Sequence, residues 1–84
     1  MRTLTPGVWD HFKGGVYMVE RVARSADSGE PLVIYLSLIH GTWHVRRLDQ
    51  WFETVTWPDG MARGRFVYRG PDAETPEPTF KVHR

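Results

Sequence analysis

The stretch Leu32–His40, with the sequence LVIYLSLIH, decides the fold class. Its first part, Leu32–Leu36, is the longest unbroken apolar run in the chain. Branched and aromatic residues favour strands, and a short run that is apolar on both faces predicts a strand buried on both sides, at the centre of a sheet or barrel. The run is far shorter than the roughly 20 apolar residues that span a bilayer, so we expect no membrane partner.

Turn-forming residues divide the rest of the chain into further short stretches of strand composition. The predicted strands are Val16–Arg24, Leu32–His40, Trp43–Leu48, Glu53–Trp57 and Arg65–Tyr68. The loop Ser25–Pro31 is typical of a hairpin connection between the first two strands. Leu48–Phe52 predicts one helical turn, and no window free of Pro and Gly has the period of a long amphipathic helix.

These short strands predict an all-β fold, either a small antiparallel barrel or a curled sheet, of SH3-like type. With 84 residues the chain has room for one domain, which we expect at residues 1–69. Residues 70–84 are rich in Pro and acidic side chains and predict an extended or disordered tail. A short edge strand at Phe80–His83 is an open alternative for the end of that tail.

Composition and missing motifs exclude several classes of function. The chain has no cysteine, which excludes a disulfide framework, a thiolate metal site and a cysteine nucleophile. It also has no phosphate-binding loop and no nucleophile elbow, so the sequence favours a non-enzymatic protein without metal or cofactor. The first residues lack the apolar core of a signal peptide, and we expect a cytoplasmic protein.

A first candidate site surrounds Lys13-Gly14-Gly15, with Tyr17 two residues further on. A cationic side chain beside two glycines presents positive charge and bare backbone N–H groups together, and such a concavity suits an anion. The alternative interpretation is a turn that needs its glycines for backbone geometry, with Lys13 simply solvated. His11 next to Asp10 is not expected to form a catalytic pair, because neighbours on a strand point to opposite faces.

A second candidate site involves Tyr35 and the predicted strand from Trp43. A buried Tyr35 needs a partner for its hydroxyl. Alternation places Trp43, Val45 and Arg47 on one face of their strand; His44, Arg46 and Leu48 lie on the other. Arg46 and Arg47 therefore point to opposite faces, and an inward arginine needs a carboxylate or an anionic ligand. An edge strand with both arginines exposed is the alternative.

These residues resemble a bacterial and phage family called Domain of Unknown Function 1653, over roughly residues 9–69. The resemblance rests on six ordered segments, at residues 11–17, 23–30, 33–35, 45–46, 51–52 and 65–66. It implies a small all-β domain whose signature residues are polar and aromatic. The chain departs from the family at Ser25, where a histidine is usual in the loop, at Leu36, where an arginine is usual, and around Trp43 and Arg47.

The leading hypothesis is a non-enzymatic domain that binds a small anionic, nucleotide-like ligand. Lys13 and Arg46 would hold phosphate or carboxylate, amides near Gly14 and Gly15 would add hydrogen bonds, and Arg47 would replace a missing family cation. Tyr17, Tyr35 and Trp43 would stack on a planar group or wall the pocket. An SH3-like module for a protein partner or single-stranded nucleic acid is the alternative, although a net charge of +1 is low for nucleic acid. A homodimer through an exposed strand or Trp surface is a third hypothesis.

Overall fold

The computed structural model describes residues 4–72. Within this range the chain forms seven strands and one short helix, and the all-β prediction is confirmed. The strands are β1 (Gly7–His11), β2 (Val16–Arg24), β3 (Pro31–Ser37), β4 (Trp43–Arg47), β5 (Thr54–Thr56), β6 (Ala62–Gly64) and β7 (Phe66–Gly70); the helix is α1 (Leu48–Trp51). No helix in this range is long and apolar enough to cross a membrane.

Five strands form one antiparallel sheet in the order β4-β3-β2-β1-β7, and β5 and β6 form a separate hairpin. The closed barrel, one of the two architectures expected from the sequence, does not form in the described part of the chain. The edge strands β4 and β7 lie at opposite sides of the sheet, and the β5–β6 hairpin pairs with itself rather than joining them. The fold is therefore an open sheet.

The largest differences between the observed and the predicted strands concern β1, β3 and β6, and the ends of most other strands shift by one or two residues. Strand β2 has the predicted bounds, but β3 ends at Ser37 because the chain turns there, with the Gly41 N–H donating to the Ser37 carbonyl at 2.8 Å. Leu38 and Ile39 are consequently exposed. Strand β1 was not predicted, and the single strand expected at Arg65–Tyr68 is preceded by the separate strand β6. The tail prediction lies almost wholly outside the described residues.

The main hydrophobic cluster lies on one side of the main sheet, which we call the inner face. Alternate residues of each strand point to it, and it buries Trp9, Val19, Val33, Tyr35, Leu48, Trp51 and Phe66. Helix α1 covers this face because its Trp51 stacks on Phe66, with ring centroids 3.6 Å apart and planes at 2°. A helix of four residues has little stability of its own, so this contact is what holds it.

The opposite side of the sheet, the outer face, is less buried along β3. Only alternate residues of β3 are fully buried, beginning with Val33, whereas Leu32, Ile34 and Leu36 are half-buried. The expectation of a strand buried on both faces is therefore wrong for this segment. The reason is that α1 packs on the inner face only. Strand β3 is paired on both edges, by β2 and β4, but this pairing does not cover its outer face.

Candidate functional site

Arg46 lies at the centre of a polar and aromatic cluster on the inner face. It pairs with Val33 of β3, and this register turns its side chain towards the core side of the sheet. Its Nε donates to the Tyr35 hydroxyl at 3.3 Å, and its guanidinium carbon lies 5.8 Å from the centroid of the Phe66 ring. Tyr35 thus has the hydroxyl partner that its burial requires. Strand β4 is an edge strand, as one of the two interpretations expected, but of its two arginines only Arg47 is exposed, while Arg46 points inward.

The side chain of Arg46 is half-buried and has no carboxylate partner among residues 4–72. Most other arginines in this range form ion pairs, with nitrogen–oxygen distances between 2.5 and 3.2 Å. The pairs are Arg21–Glu20, Arg47–Glu30, Arg47–Asp49, Arg63–Asp59, Arg65–Glu53 and Arg69–Asp10. Arg24 is exposed and donates to the Gly29 carbonyl at 2.9 Å. Within residues 4–72, Arg46 therefore differs from the other arginines because it is half-buried and has no acidic partner.

Five rings form the aromatic part of this cluster: Tyr17, Tyr35, Phe66 and the imidazoles of His11 and His44. His44 stacks on Tyr35, with centroids 5.5 Å apart, because the two residues are register partners across β3 and β4. Tyr17 meets Tyr35 edge-on at 5.3 Å, and His11 lies 6.1 Å from Tyr17 and 4.7 Å from Phe66. The cluster therefore offers hydroxyl and imidazole groups beside a cation.

The Lys13-Gly14-Gly15 turn lies at the edge of this cluster. Gly14 has a φ of +98° and its N–H donates to the His11 carbonyl at 2.8 Å, so this amide is used within the turn. A Cβ on Gly15 would lie 2.7 Å from the ring of Tyr17. Gly15 is therefore needed so that Tyr17 can lie against the turn. Lys13 is exposed, has no ion pair among the described residues, and places its Nζ 5.6 Å from the centroid of Phe12.

The structure does not bring Trp43 and Arg47 to this cluster. Both residues point to the outer face, since Trp43 pairs with Leu36 and Arg47 with Leu32. Arg47 binds Asp49 at 2.5 Å and Glu30 at 2.8 Å. The hydrogen bond that Arg47 donates to Asp49, and then the negative charges of Asp49 and Glu30, raise the pKa of Arg47. Six of the eight residues expected at the site thus lie in or beside the cluster: Lys13, Gly14, Gly15, Tyr17, Tyr35 and Arg46.

Sequence reasoning missed His11, His44 and Phe66 as members of the cluster. The alternation of the β4 strand already places His44 beside Arg46, so that signal was present in the sequence. His11 joins through the pairing of β1 with β7, in which it is the partner of Phe66. That contact joins distant parts of the chain, and no local pattern indicates it.

A cavity of about 350 Å³ lies elsewhere on the surface and is lined by Pro31, Leu48, Asp49 and Phe52. Its walls are mostly apolar, and its one charged lining residue is an acid. It shares no lining residue with the cluster around Arg46. An anion has no favourable charge to meet there, so the cavity does not compete with Arg46 as an anion site.

Comparison with known proteins gives the family and no activity. None of the curated proteins matches the chain. A crystal structure of a DUF1653 protein from Bordetella bronchiseptica is similar to this one, with 35% sequence identity and a TM-score of 0.77 over 92% of this chain and 99% of that chain. The family profile described as "Protein of unknown function (DUF1653)" matches residues 7–68, which include the whole cluster around Arg46. The chain belongs to the DUF1653 family.

Proposed function

We propose that this domain binds a small anionic ligand, with a phosphate or carboxylate group and a planar ring, at the Arg46 cluster without catalysing a reaction. The observation that carries the proposal is the half-buried guanidinium of Arg46, which has no acidic partner among residues 4–72. Removing a charge from water without a counterion costs free energy. A bound anion would supply the missing counterion.

The groups around Arg46 suit such an anion. One edge of the guanidinium is used by Tyr35, through Nε. The terminal nitrogens of an arginine form a planar fork that matches two oxygens of a phosphate or carboxylate. Lys13 is the other cation near this face without an ion pair in the described range, and it adds a second positive charge at the rim.

The aromatic members of the cluster support a planar group on the ligand. His44 is exposed and Tyr17 is half-buried, so both rings have surface that a ligand can cover. Aromatic rings stack favourably on nucleobases, at about 1–3 kcal/mol per base. A nucleotide combines this ring with a phosphate and is the ligand class that uses all parts of the cluster.

The ion pairs argue against nucleic acid as the partner. An SH3-like module for single-stranded nucleic acid would use the arginines between residues 43 and 69. Four of these five arginines already bind carboxylates, namely Arg47, Arg63, Arg65 and Arg69. A nucleic acid would have to compete with each of these pairs, whereas a small ligand needs Arg46 alone.

Native mass spectrometry of the full chain with nucleotides, cyclic nucleotides and short oligonucleotides tests the proposal. We expect a stoichiometric adduct with a nucleotide or cyclic nucleotide. Arg46→Gln should weaken it at least about tenfold, since a hydrogen bond to a charged group contributes about 1.5–3 kcal/mol. Lys13→Gln should weaken it less, because that side chain is exposed.

Arg24→Gln is the matched control, since Arg24 also lacks an acidic partner in the described range but lies at the β2–β3 hairpin. It should bind as the wild type does, and circular dichroism should show that all three variants are folded. Equal binding by Arg46→Gln and wild type would overturn the site. Adducts with oligonucleotides alone would overturn the ligand class. The absence of an adduct with every member of the panel would also overturn it.

A further inference from the structure

The edge strand β4 carries features of an interface. Four of its five residues are exposed, whereas only one residue of β7, at the other edge of the sheet, is exposed. Trp43 and Val45 are 59% and 60% exposed, and both point to the outer face. Of the features that protect sheet edges, β4 contains no proline, lysine or bulge; its charged residues are Arg46, on the inner face, and Arg47, which is already paired with Glu30 and Asp49.

The backbone of β4 presents free hydrogen-bonding groups along this edge. The Ser37 N–H donates to the Thr42 carbonyl at 2.8 Å, so Thr42 directs its backbone groups towards β3. Along an antiparallel strand the backbone N–H and C=O groups reverse direction at each residue. His44 and Arg46, two and four residues after Thr42, therefore also direct these groups towards β3. Trp43, Val45 and Arg47 therefore direct their backbone groups outward, away from the sheet.

This pattern is complementary to itself under a two-fold rotation. When two copies of β4 pair antiparallel about Val45, each Val45 faces its own counterpart and each Trp43 faces an Arg47 of the other copy. All these positions have outward backbone groups, as a hydrogen-bonded pair requires. Arg47 is the N-cap of α1, so its carbonyl accepts the first hydrogen bond of the helix. Only the N–H of Arg47 is left to bond with the other copy. The register then makes roughly four intermolecular backbone hydrogen bonds.

The side chains also match in this register. Each exposed indole of Trp43 meets the guanidinium of an Arg47, and an arginine over an indole is a favourable cation–π pair. Arg47 keeps its acidic partners Glu30 and Asp49, so covering it does not leave an uncompensated charge. The two Val45 side chains cover each other at the axis.

From these observations we propose that the protein forms a homodimer in which two β4 strands pair antiparallel about Val45 and join two sheets into one. The inner faces of the two copies then become continuous, and His44 of one copy lies opposite Arg46 of the other. The proposal does not depend on a ligand, because the backbone hydrogen bonds and the outer-face side chains are enough to define the interface.

Sedimentation equilibrium of the full chain tests the dimer. We expect the wild type to reach twice the monomer mass as concentration rises. Val45→Lys places two ammonium groups at the axis and should raise the dimer dissociation constant at least tenfold. Met61→Lys is the matched control, because Met61 is 59% exposed but lies in the β5–β6 hairpin connection; this variant should dimerise as the wild type does.

A single introduced cysteine tests the register, since the chain has none of its own. Val45→Cys should form a covalent dimer under mild oxidation, because paired Cα atoms about 5.5 Å apart lie within disulfide reach. Met61→Cys should do so much more slowly. A wild type that stays monomeric up to millimolar concentration would overturn the proposal. So would dimerisation that Val45→Lys leaves intact, or equal cross-linking at both positions. Arg46→Gln should keep the dimer, which separates this test from that of the ligand.

Discussion

Adjacent residues of β1 have opposite surroundings. Asp10 has no exposed surface and accepts two hydrogen bonds from Arg69, at 2.9 Å from Nε and 2.6 Å from Nη2. His11 lies on the inner face beside Phe66. The two neighbouring side chains therefore lie on opposite faces of β1. Asp10 belongs to the structure of the sheet, and His11 belongs to the candidate site.

Asp10→Asn should lower the free energy of unfolding by about 3–5 kcal/mol, because it leaves the largely buried Arg69 without its charge partner. Replacing both partners, as Asp10→Leu with Arg69→Met, should recover a large part of that loss. Urea denaturation of the single and double variants measures both effects. A loss below about 1 kcal/mol for Asp10→Asn, the range of an exposed pair, would contradict this account.

Asp59 gives a prediction for pH. Hydrogen bonds from Arg63, and then from the Met61 N–H, lower the pKa of Asp59 from 3.8 to about 2. A carboxylate with a lowered pKa stabilises the fold above its unfolded pKa, and this stability is lost as the pH falls through the folded pKa. Asp59→Asn should therefore reduce the melting temperature at neutral pH, with the difference from wild type disappearing near pH 2. Calorimetry across that range checks it, with Glu20→Gln as a surface control. A difference that does not change with pH would count against the ion pair.

Among the elements, α1 depends on packing. Its N-cap Arg47 makes no side-chain capping bond, and the helix has only four residues. Trp51 supplies the contacts instead, stacking on Phe66 and meeting Tyr35 edge-on at 5.0 Å. The sequence predicts this turn correctly: the polar pair Asp49-Gln50 lies between Leu48 and the aromatic pair Trp51-Phe52, so one helical turn can place the apolar residues against the core.

Trp51→Ala should lower the free energy of unfolding by about 3–5 kcal/mol, as expected for removing a buried indole. Trp51→Phe should cost much less, since the Trp51 Nε1 has no hydrogen-bond partner among residues 4–72 and the substitution removes only packing. Gln50→Ala, on the same helix, is the control and should have little effect. Equal losses for the Ala and Phe variants would mean that stacking on Phe66 is not what holds α1.

The elements also show what the sequence can predict. Strand β2 and the hairpin after it follow from local composition, and the two faces of β4 follow from alternation, which places His44 with Arg46. Strand β1 contains Gly7 and follows Pro6, so its local signal is that of a turn. It forms because β2 and β7 both pair with it, and β7 lies more than fifty residues away along the chain. The His11 side of the candidate site depends on that same pairing and could not be predicted.

At the scale of the whole molecule, an open sheet leaves edges that a barrel would remove. Strand β7 is largely covered, and β4 is the exposed edge of the described sheet. The proposed dimer uses this edge and joins the inner faces of two copies. Strand β4 would then serve both proposed functions. Its edge backbone groups at Val45 would form the dimer, and its inner-face side chain Arg46 would bind the ligand.

The proposed dimer makes melting depend on concentration. A dimer that dissociates on unfolding is stabilised by mass action, so the melting temperature of the wild type should rise with protein concentration. Val45→Lys, whose dimer is weaker, should show a smaller rise over the same range of concentrations. Differential scanning fluorimetry over a hundredfold dilution series measures both. A wild-type midpoint that does not move would contradict the dimer, and Met61→Lys should follow the dimeric pattern.

The pairing of β1 with β7 has one more consequence. Val8 is the partner of Gly70, and a Cβ on Gly7 would lie 2.7 Å from the Gly70 carbonyl, so the described domain begins and ends at one place. Such a unit can be inserted into a loop of another protein without stretching its host. It can also be circularly permuted: joining residues 7 and 70 with a short linker and opening the chain between Asp27 and Ser28, in the loop between β2 and β3, leaves every strand pair intact.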